Sequence, residues 1–355
     1  MLTLDVAIAT RNRAQVLDLS LPLLLKQSRK PNTIIIVDSS DDPEAVANVV
    51  KSYSATTEIP IKLFRSPAGT AIQRNIALKH ITSDIVMFPD DDSLLLPGAL
   101  DAIMRIYEAD VDERIGGVCG REVLEAPADV LSVARRSYEM TRLDRMKQKV
   151  ARQRFLLERR FCPDPLTVYG RSRCNAHGTL DWLSGKKAVP VEFMAGFRMS
   201  FRTRLIAEHG FDETLGRYAL FEDVDASFSI MKNHLLVAAW DAKIFHYRSP
   251  ERRDAGMILG VMQILNRAYV ICKHDKQGTN ARRALNKYTV FKLCLYTTEI
   301  RSKFGRDRLI GAFRAYRCLP ILLKAAPEEL TSTYLHLREH CLNAGPVSRT
   351  APVSS

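Results

Sequence analysis

Three neighbouring aspartates follow an apolar run in the segment IVMFPDDDS, residues 85–93. Adjacent carboxylates repel one another, and a buried carboxylate without a positive partner is costly. Mg²⁺ and Mn²⁺ favour oxygen ligands, and often bind one or two carboxylates together with substrate phosphates. Asp90 and Asp92, which flank Asp91, therefore predict a divalent-metal site. The alternative interpretation is a solvated acidic loop whose aspartates cap a helix.

Polar residues also stand where two earlier strands are predicted to end. The apolar run LTLDVAIAT (2–10) ends in Thr10, and Arg11 and Arg13 follow it with positive charge. The next apolar run ends in Asp38, a carboxylate that could accept hydrogen bonds from a base or a ribose. In open parallel sheets, ligands bind at the carboxyl ends of the strands. The sequence therefore predicts one site built from several strand ends.

Two further polar residues lie on the amphipathic helix predicted over 70–81. Arg74 and Asn75 on this helix could reach a diphosphate or hold the neighbouring loop. Taken singly, each of these strand-end and helix residues could be an exposed polar side chain. Their gathering at one edge of a sheet favours a shared site.

The predicted elements alternate between strands and helices. We expect strands near 2–10, 32–38, 60–66, 84–91 and 116–124, with helices over 14–28, from Pro43 onward, over 70–81, and after Pro97 within 94–108. Each strand is almost wholly apolar, as in a parallel sheet covered by helices on both faces. The pattern predicts an α/β fold.

A second acidic group opens the segment FEDVDASFSIMKN (221–233), where Glu222 and Asp223 precede a helical pattern. Acids at a helix start complement the helix dipole, which is one explanation for them. His246 follows the apolar strand predicted within 234–249. It is interpreted either as a metal ligand or as a hydrogen-bonded structural residue.

The order of these motifs resembles that of a known family. The segments VAIATRNR, IIIVDSSDD, AIQRNIAL, IVMFPDDDSLLLPGAL and FEDVD occur in the order seen in family 2 glycosyltransferases of the GT-A fold. The resemblance covers residues 4–250. It implies a Rossmann-like, mostly parallel sheet and an inverting transfer of a sugar from a nucleotide-diphospho-sugar donor. A glycan or a lipid-linked molecule would be the acceptor, in polysaccharide or glycoconjugate biosynthesis.

On the donor side, the resemblance places Thr10 and Asp38 near the nucleotide and Arg74 beside the donor. Asp90 and Asp92 match the Asp-x-Asp that binds the metal–diphosphate, with Mg²⁺ or Mn²⁺ as the ion. The complete set predicted for the donor is Thr10, Arg11, Asp38, Arg74, Asn75, Asp90, Asp91 and Asp92.

On the acceptor side, the resemblance implies that Asp223 deprotonates the acceptor hydroxyl, with Glu222 beside it. The segment GFRMSFRTRLIAEHGFDE, which begins at Gly196, resembles the acceptor-side segment that precedes that pair. His246 occupies the place of a later histidine that some relatives use as a metal ligand. The chain departs from the family pattern at Ser93, where a fourth acid is common, and at Pro89, where an aliphatic residue is usual.

Two rival functions remain open at this stage. A sugar-phosphate nucleotidyltransferase would also combine a parallel sheet with metal-binding acids, but it usually carries a glycine-rich loop after the first strand, and ATRNRAQ has no glycine. A non-catalytic subunit that binds nucleotide sugar is the second rival. The intact Asp92 and Asp223 argue against it.

The resemblance and the composition together predict four regions. They are a nucleotide-sugar-binding half (1–120), an acceptor-binding half (121–250) with a helical insertion at about 125–190, a basic helical extension (251–345) and a disordered tail (346–355). Transfer between two substrates is therefore expected from the first two regions.

Basic residues give the 355-residue chain a formal net charge of +12. Such an excess suits phosphorylated ligands, nucleic acid or an anionic membrane, and the sequence contains no nucleic-acid-binding motif. The segment 299–324 has the pattern of a basic amphipathic helix. It predicts either a helix on an anionic membrane surface or a helix packed on the catalytic domain.

The seven cysteines are scattered, odd in number and without a Cys-x-x-Cys, which fits a reducing compartment. Cys162, Cys174 and His177 lack the tight pair and fourth ligand of a structural zinc site. The N-terminal residues lack the pattern of a signal peptide, and the apolar stretch 257–265 is too short to span a bilayer. We therefore expect a cytoplasmic protein, with the inner face of the membrane as an alternative location.

Overall fold

The computed structural model describes residues 1–124, 162–216, 219–248, 256–275 and 280–343. The chain divides into two compact units, Met1–Arg252 and Arg253–Ser355. Much of the helical insertion predicted at about 125–190 and the predicted disordered tail lie outside the described residues.

The first unit is built on one sheet. In the described part of the chain, its strands are β1 (Leu4–Thr10), β2 (Thr33–Asp38), β3 (Ile61–Arg65), β4 (Ile85–Phe88), β5 (Ser93–Leu95), β6 (Ile115–Val123), β7 (Ala188–Pro190), β8 (Met199–Arg202) and β9 (Leu235–His246). The strand order is β3-β2-β1-β4-β8-β6-β9-β5, and β7 pairs with β9.

The two halves of the sheet differ in strand direction. Strands β3, β2, β1 and β4 are all parallel, with Thr10 of β1 opposite Asp38 of β2. From β8 onward the sheet is mixed, because β8 is antiparallel to β4 and to β6, whereas β6 is parallel to β9. The parallel half therefore presents its carboxyl ends, and the polar residues that follow them, along one edge.

Helices connect the strands of this unit. In chain order they are α1 (Ala14–Leu25), α2 (Glu44–Ser54), α3 (Thr70–Leu78), α4 (Ala99–Ala109), α5 (Pro165–Ala176), α6 (Trp182–Gly185), α7 (Thr203–His209) and α8 (Glu222–Ile230). A turn of 3-10 helix, Gly196–Arg198, precedes β8. Helix α7 ends at Gly210, whose φ of 65° favours glycine.

The apolar runs of the sequence form the core. Ile34, Ile36, Ile85 and Met87 are fully buried in the centre of the sheet, where side chains of α1, α2 and α4 join them in one cluster. Burial of this apolar surface is the main favourable contribution to folding. This buried core keeps the ends of the strands in fixed positions.

Strand β4 is shorter than the predicted 84–91 and ends at Phe88. Pro89 has no backbone N–H to continue the ladder. The chain nevertheless stays beside β1 through a bridge between Ala9 and Asp90. Asp90 to Asp92 therefore form a turn at the strand end.

The second unit is helical in its described residues, as α9 (Gly256–His274), α10 (Asn280–Thr297), α11 (Lys303–Lys324) and α12 (Leu330–Asn343). The predicted α/β class and the helical C-terminal extension are confirmed. Within the described residues, no helix has the length and apolar character needed to cross a bilayer.

Candidate active site

The ends of β1 and β2 are tied to helix α3 by a glutamine. Gln73 of α3 is buried, and its Nε2 donates to the carbonyl oxygens of Thr10 and Val37 at 2.8 and 2.7 Å. One side-chain amide thus satisfies two buried carbonyls where the strands end. This contact fixes α3, and Arg74 with it, against the strand ends.

Asp38 is buried at the end of β2 and accepts hydrogen bonds from its own chain. Its Oδ1 accepts from the backbone N–H of Ser40 at 2.8 Å and from the Ser40 hydroxyl. Its Oδ2 is paired with the guanidinium of Arg65, the last residue of β3. These contacts orient the carboxylate at the sheet edge.

Asp91 is a buried member of the acidic run. Its Oδ2 accepts from the Thr10 hydroxyl at 2.8 Å, and its Oδ1 from Nη1 of Arg13 at 2.8 Å. Burial raises the pKa of Asp91 to about 7, although Arg13 and the Thr10 hydroxyl oppose that rise. Asp91 therefore anchors the acidic turn to β1.

Asp90, Asp92 and His246 form a potential metal-binding group. One ligand atom from each of the three lies within 4.8 Å of the others. His246 Nε2 is 3.3 Å from Asp92 Oδ1, and Arg13 Nη1 is 3.5 Å from Asp92 Oδ2. Burial raises the pKa of Asp90, and Arg74 opposes that rise. Two carboxylates and one imidazole form a donor set that suits Mn²⁺ or Mg²⁺.

Strand pairing brings His246 to the acids. Strand β5 begins at Ser93, directly after the acidic run, and Ser93 lies opposite His246 in the antiparallel pair with β9. The imidazole stacks on Phe197, with ring centroids 4.4 Å apart and an interplanar angle of 14°. This stacking fixes the ring plane beside Asp92.

Ser93, where a fourth acid is common in the family, closes the acidic turn. Its hydroxyl accepts from the N–H of Asp90 at 3.0 Å and donates to the carbonyl of Phe197 at 2.7 Å. A carboxylate could not donate to that carbonyl. The departure from the family pattern at Ser93 thus has a local structural role.

Arg74 links the two acidic groups. This buried guanidinium donates to Asp90 Oδ1 at 2.9 Å and to the carbonyl oxygen of Gly196 at 3.2 Å, and it is also paired with Glu222. It lies over the ring of Phe211, 5.5 Å from the centroid. A single side chain thus holds the acidic turn, the 3-10 turn and the start of α8 together.

Asp223 is oriented by two backbone donors. Its Oδ2 accepts from the N–H of Gly196 and its Oδ1 from the N–H of Val224, both at 2.8 Å. Burial raises the pKa of Asp223, whereas these hydrogen bonds oppose the rise. Phe221, just before the helix, has a φ of 77°, a conformation that is strained for an aromatic residue. That strain is located where the acidic pair is positioned.

Glu222 is buried beside Asp223 and has one oxygen in the Arg74 ion pair. Its other oxygen, Oε2, has no hydrogen-bond partner among the described residues. Burial raises the pKa of Glu222 to about 8 against the effect of Arg74, and the neighbouring carboxylates of Asp223 and Asp90 raise it further. Glu222 therefore contacts the buried arginine and directly precedes the base candidate in the chain.

Gly196 allows the close packing of this region. A Cβ at this position would lie 3.2 Å from Arg74 Nη2 and 3.5 Å from Asp223 Oδ2. The residue also donates to Asp223 and accepts from Arg74 through its own backbone. Of the predicted acceptor-side residues, Gly196 and Glu222 therefore both contact the groups around the base candidate.

Two predicted donor-site residues make contacts away from the acidic turn. Asn75 donates to the carbonyl of Phe211 and to Glu213 Oε1, each at 2.8 Å, and accepts from the Phe211 N–H. It therefore holds the loop after α7, which is the second of its two predicted roles. Arg11 is largely exposed and pairs with Asp41 at 3.3 Å.

Four contributors were not identified as site residues from the sequence. Arg13 was recognised only as positive charge near β1, and the roles of Gln73, Arg65 and Phe197 were missed. Arg13 and Arg65 each follow or end a strand of the parallel half, and that position was a usable signal. The contacts of Gln73 and Phe197 depend on packing and have no signature in the sequence.

The histidine considered for zinc contacts a backbone carbonyl. His177 Nε2 lies 2.7 Å from the carbonyl of Met231. Over the described residues, the group formed by Asp90, Asp92 and His246 is the one with metal-ligand spacing. A zinc site at Cys162, Cys174 and His177 receives no support.

The arrangement combines two chemical capacities. One end can hold a divalent cation and an anionic group, and the other offers a buried carboxylate with a raised pKa as a proton acceptor. Arg74 lies between them. Such a pairing suits displacement of an anionic leaving group by a hydroxyl.

Comparison with protein families gives a match over most of the first unit. The model described as "Glycosyl transferase family 2" matches residues 5–203. A curated protein, the O-antigen chain rhamnosyltransferase RfbN of Salmonella typhimurium, is 25% identical over 224 residues, which cover 59% of this chain and 67% of that protein.

Solved structures with the same fold include a mannosyltransferase and the protein TarS. The mannosyltransferase PcManGT from Pyrobaculum calidifontis, in complex with GDP-Man and Mn²⁺, has a TM-score of 0.52 and 14% identity, covering 96% of this chain and 87% of that one. TarS 1-349 from S. aureus, in complex with UDP-GlcNAc, has a TM-score of 0.51 and 15% identity, covering 95% and 91%. The expected GT-A fold is confirmed.

Proposed function

This chain belongs to glycosyl transferase family 2, and from that premise we propose that it is a metal-dependent, inverting enzyme that uses a nucleotide-diphospho-sugar. The acceptor would be a hydroxyl of a glycan or of a lipid-linked glycan. Because the curated relative is an O-antigen chain rhamnosyltransferase, a nucleotide-diphospho-rhamnose is the first donor to assay.

The observation that carries this proposal is the connection made by Arg74. It contacts Asp90, on the predicted donor side, and it also contacts Glu222, the neighbour of the predicted base, which lies 148 residues from Arg74 in the sequence. An acidic loop that only capped a helix would need no such buried link. The link favours the interpretation that the two acidic segments form a single reaction centre, and it disfavours the interpretation that they are unrelated.

The residues present fit a divalent cation. Asp90, Asp92 and His246 supply two hard oxygen donors and one imidazole nitrogen within 4.8 Å of one another. When bound there, Mg²⁺ or Mn²⁺ would neutralise the charge that develops on the leaving diphosphate. Arg13 and Arg74 already neutralise part of the negative charge of the acidic run. The cation therefore need not balance all of that charge by itself.

Asp223 would act as the base that accepts the proton of the acceptor hydroxyl. The two N–H donors hold its carboxylate in one orientation, and each oxygen keeps a lone pair for a further contact. The raised pKa makes the carboxylate more basic than an exposed aspartate. Attack by the hydroxyl on the anomeric carbon, opposite the departing diphosphate, inverts that centre in a single displacement.

Arg74 and Glu222 would hold this geometry. The Arg74 guanidinium keeps Gly196 against Asp223 through the Gly196 carbonyl, and Glu222 fixes the guanidinium from the other side. Neither needs to exchange a proton during the displacement. Their role is therefore positioning.

Binding of the donor nucleotide tests the first half of the proposal. We would record thermal unfolding with UDP, GDP, CDP and dTDP, each with and without Mn²⁺, for the wild type, Asp92→Asn and the exposed control Asp112→Asn. A ligand at 100 times its dissociation constant adds about 2.7 kcal/mol of stability. For a chain of this size, that corresponds to a rise in Tm of roughly 4 °C.

We expect one nucleotide to stabilise the wild type and Asp112→Asn only with Mn²⁺, and Asp92→Asn not at all. Sugar transfer from the matching donor should then be lost in Asp223→Asn while its nucleotide-dependent shift remains. If no nucleotide changes the wild-type Tm, the assignment of the donor site is wrong. If Asp223→Asn transfers sugar at the wild-type rate, the assignment of the base is wrong.

A further inference from the structure

Helix α11 of the C-terminal unit has an exposed row of basic and apolar residues. The exposed positions recur at intervals of three or four, which places them along one side of a helix. We name this row the α11 ridge, and its members are Lys303, Arg306, Ile310, Phe313, Arg317, Ile321 and Lys324.

Close backbone packing fixes the opposite side of α11. A Cβ at Gly260 of α9 would lie 2.1 Å from the carbonyl oxygen of Arg308, and one at Gly311 would lie 2.3 Å from that of Met257. Ala312 and Ala315 are fully buried on the same side. Since the two helices touch through backbone and small side chains, α11 cannot turn its ridge inward without losing this contact.

The ridge is positively charged and largely without acidic partners. Lys303, Arg317 and Lys324 form no ion pair with any residue that the structure describes. Arg306 donates to a backbone carbonyl. On this helix, all of whose residues are described, the one acidic side chain is the half-buried Asp307. The ridge therefore offers uncompensated positive charge.

Large apolar side chains alternate with these charges. Ile310, Phe313 and Ile321 are 45%, 52% and 56% exposed. The solvent-facing side of a helix in a globular protein is normally polar. Lysine and arginine interleaved with exposed phenylalanine and isoleucine are typical of a helix that lies in the headgroup region of a membrane.

We propose that the α11 ridge docks this protein on a bilayer surface rich in anionic phospholipid. The basic side chains would contact headgroup phosphates, and Ile310, Phe313 and Ile321 would enter the boundary with the acyl chains. A nucleic-acid partner would leave these three apolar side chains facing a charged backbone. A second copy docked through the same ridge would bring like charges together. The anionic bilayer matches both features.

The charge contribution can be tested with sedimentation of the full chain on vesicles of phosphatidylcholine with and without phosphatidylglycerol. We expect binding only to the anionic vesicles, and release at high salt. Lys303→Gln with Lys324→Gln should weaken binding roughly 30-fold, at about 1 kcal/mol per basic residue. The control pair Lys51→Gln and Lys62→Gln removes the same charge outside the ridge, and its binding should stay near that of the wild type.

The apolar contribution needs a second pair of variants at constant charge. Phe313→Ser with Ile321→Ser should weaken binding about tenfold, because less apolar surface leaves water. Val290→Ser with Leu335→Ser removes exposed apolar side chains elsewhere in the unit and should leave binding unchanged. Thermal unfolding of each variant verifies that the fold is kept.

Three results would each overturn the proposal. The first is an absence of binding at every phosphatidylglycerol content, and the second is equal binding to neutral vesicles. The third is an equal loss in ridge and control variants. A concentration-dependent dimer that only the ridge variants abolish would instead assign the ridge to a second copy. None of these measurements uses a donor or an acceptor, so they are independent of the proposed glycosyl transfer.

Discussion

At the residue scale, Arg74 is the contact on which the candidate site depends most. A guanidinium offers several N–H donors in a fixed plane, and here they reach Asp90, Glu222 and the Gly196 carbonyl. A lysine carries the same charge on a single nitrogen and cannot make this set of contacts. This set of contacts therefore requires the geometry of the guanidinium as well as its charge.

Arg74→Lys should lower the rate of sugar transfer about 100-fold, because a displacement of about 1 Å at the reacting groups can cost that much. The protein should stay folded, since the buried charge is kept. The control is Arg105→Lys, in an exposed pair with Asp101, which should change neither rate nor Tm appreciably. A wild-type transfer rate for Arg74→Lys would show that the bridging geometry is dispensable.

Glu222 makes the stability of the fold depend on pH. Its pKa is about 8 in the folded protein, against an ordinary value of 4.5. Between these values the folded state holds a proton that the unfolded state has released. Stability is therefore present at low pH and is lost as pH rises from about 4.5 to about 8.

Replacing Glu222 by glutamine should remove this loss. The Tm of Glu222→Gln minus the Tm of the wild type should become more positive as pH increases from 5 to 8. The exposed control Glu58→Gln should show no such trend. Thermal unfolding across this pH range is the measurement, and a difference that stays constant would contradict the pKa of Glu222.

At the element scale, the antiparallel pairing of β5 with β9 decides the composition of the predicted metal site. His246 faces the acids because it lies opposite Ser93, directly after Asp92. A slip of one residue would turn every side chain of the strand to the other face of the sheet. The position of the predicted third ligand thus depends on strand register.

His246→Asn should weaken the effect of Mn²⁺ on nucleotide binding roughly 10- to 100-fold, since even the loss of an outer-shell partner of a metal has that effect. The measurement is the Mn²⁺ concentration that gives half of the nucleotide-dependent shift in Tm. The exposed His209 supplies the control variant His209→Asn. If His246→Asn needs no more Mn²⁺ than the control, His246 is a structural residue stacked on Phe197 and not a ligand.

At the scale of the whole molecule, the two units rely on different packing. The first is held by an apolar sheet core, and the second by helices whose backbones meet at glycines. Dispersion contacts between closely packed atoms are lost steeply when helices separate. The second unit should therefore tolerate added volume at these glycines poorly.

Gly260→Ala should lower the free energy of unfolding by roughly 1–3 kcal/mol, the usual cost of overpacking. The added Cβ would meet the Arg308 carbonyl, a backbone atom that cannot move aside alone. Gly185→Ala is the control, because its Cβ would meet nothing within 4 Å. Denaturant unfolding of both variants gives the comparison, and equal stabilities would contradict the close packing.

The sequence by itself determined most of the elements, and it placed most of the predicted donor-side residues at strand ends. Apolar runs and helical periodicity are local properties, so β1, β2, β4 and the helical character of the C-terminal unit could be predicted directly. The position of Thr10, Asp38 and the three aspartates at strand ends follows from the same runs. Because parallel strands align their carboxyl ends, this local information already predicted one shared site.

Only the tertiary structure decided which of these side chains meet. Two arginines follow β1, yet Arg13 contacts Asp91 whereas Arg11 points to Asp41. Arg74 and Asn75 are adjacent, but one joins the acidic groups and the other holds the loop after α7. Such choices depend on strand register and on side-chain burial, which residues far apart in the chain set together. A pattern read along the chain carries no record of these distances.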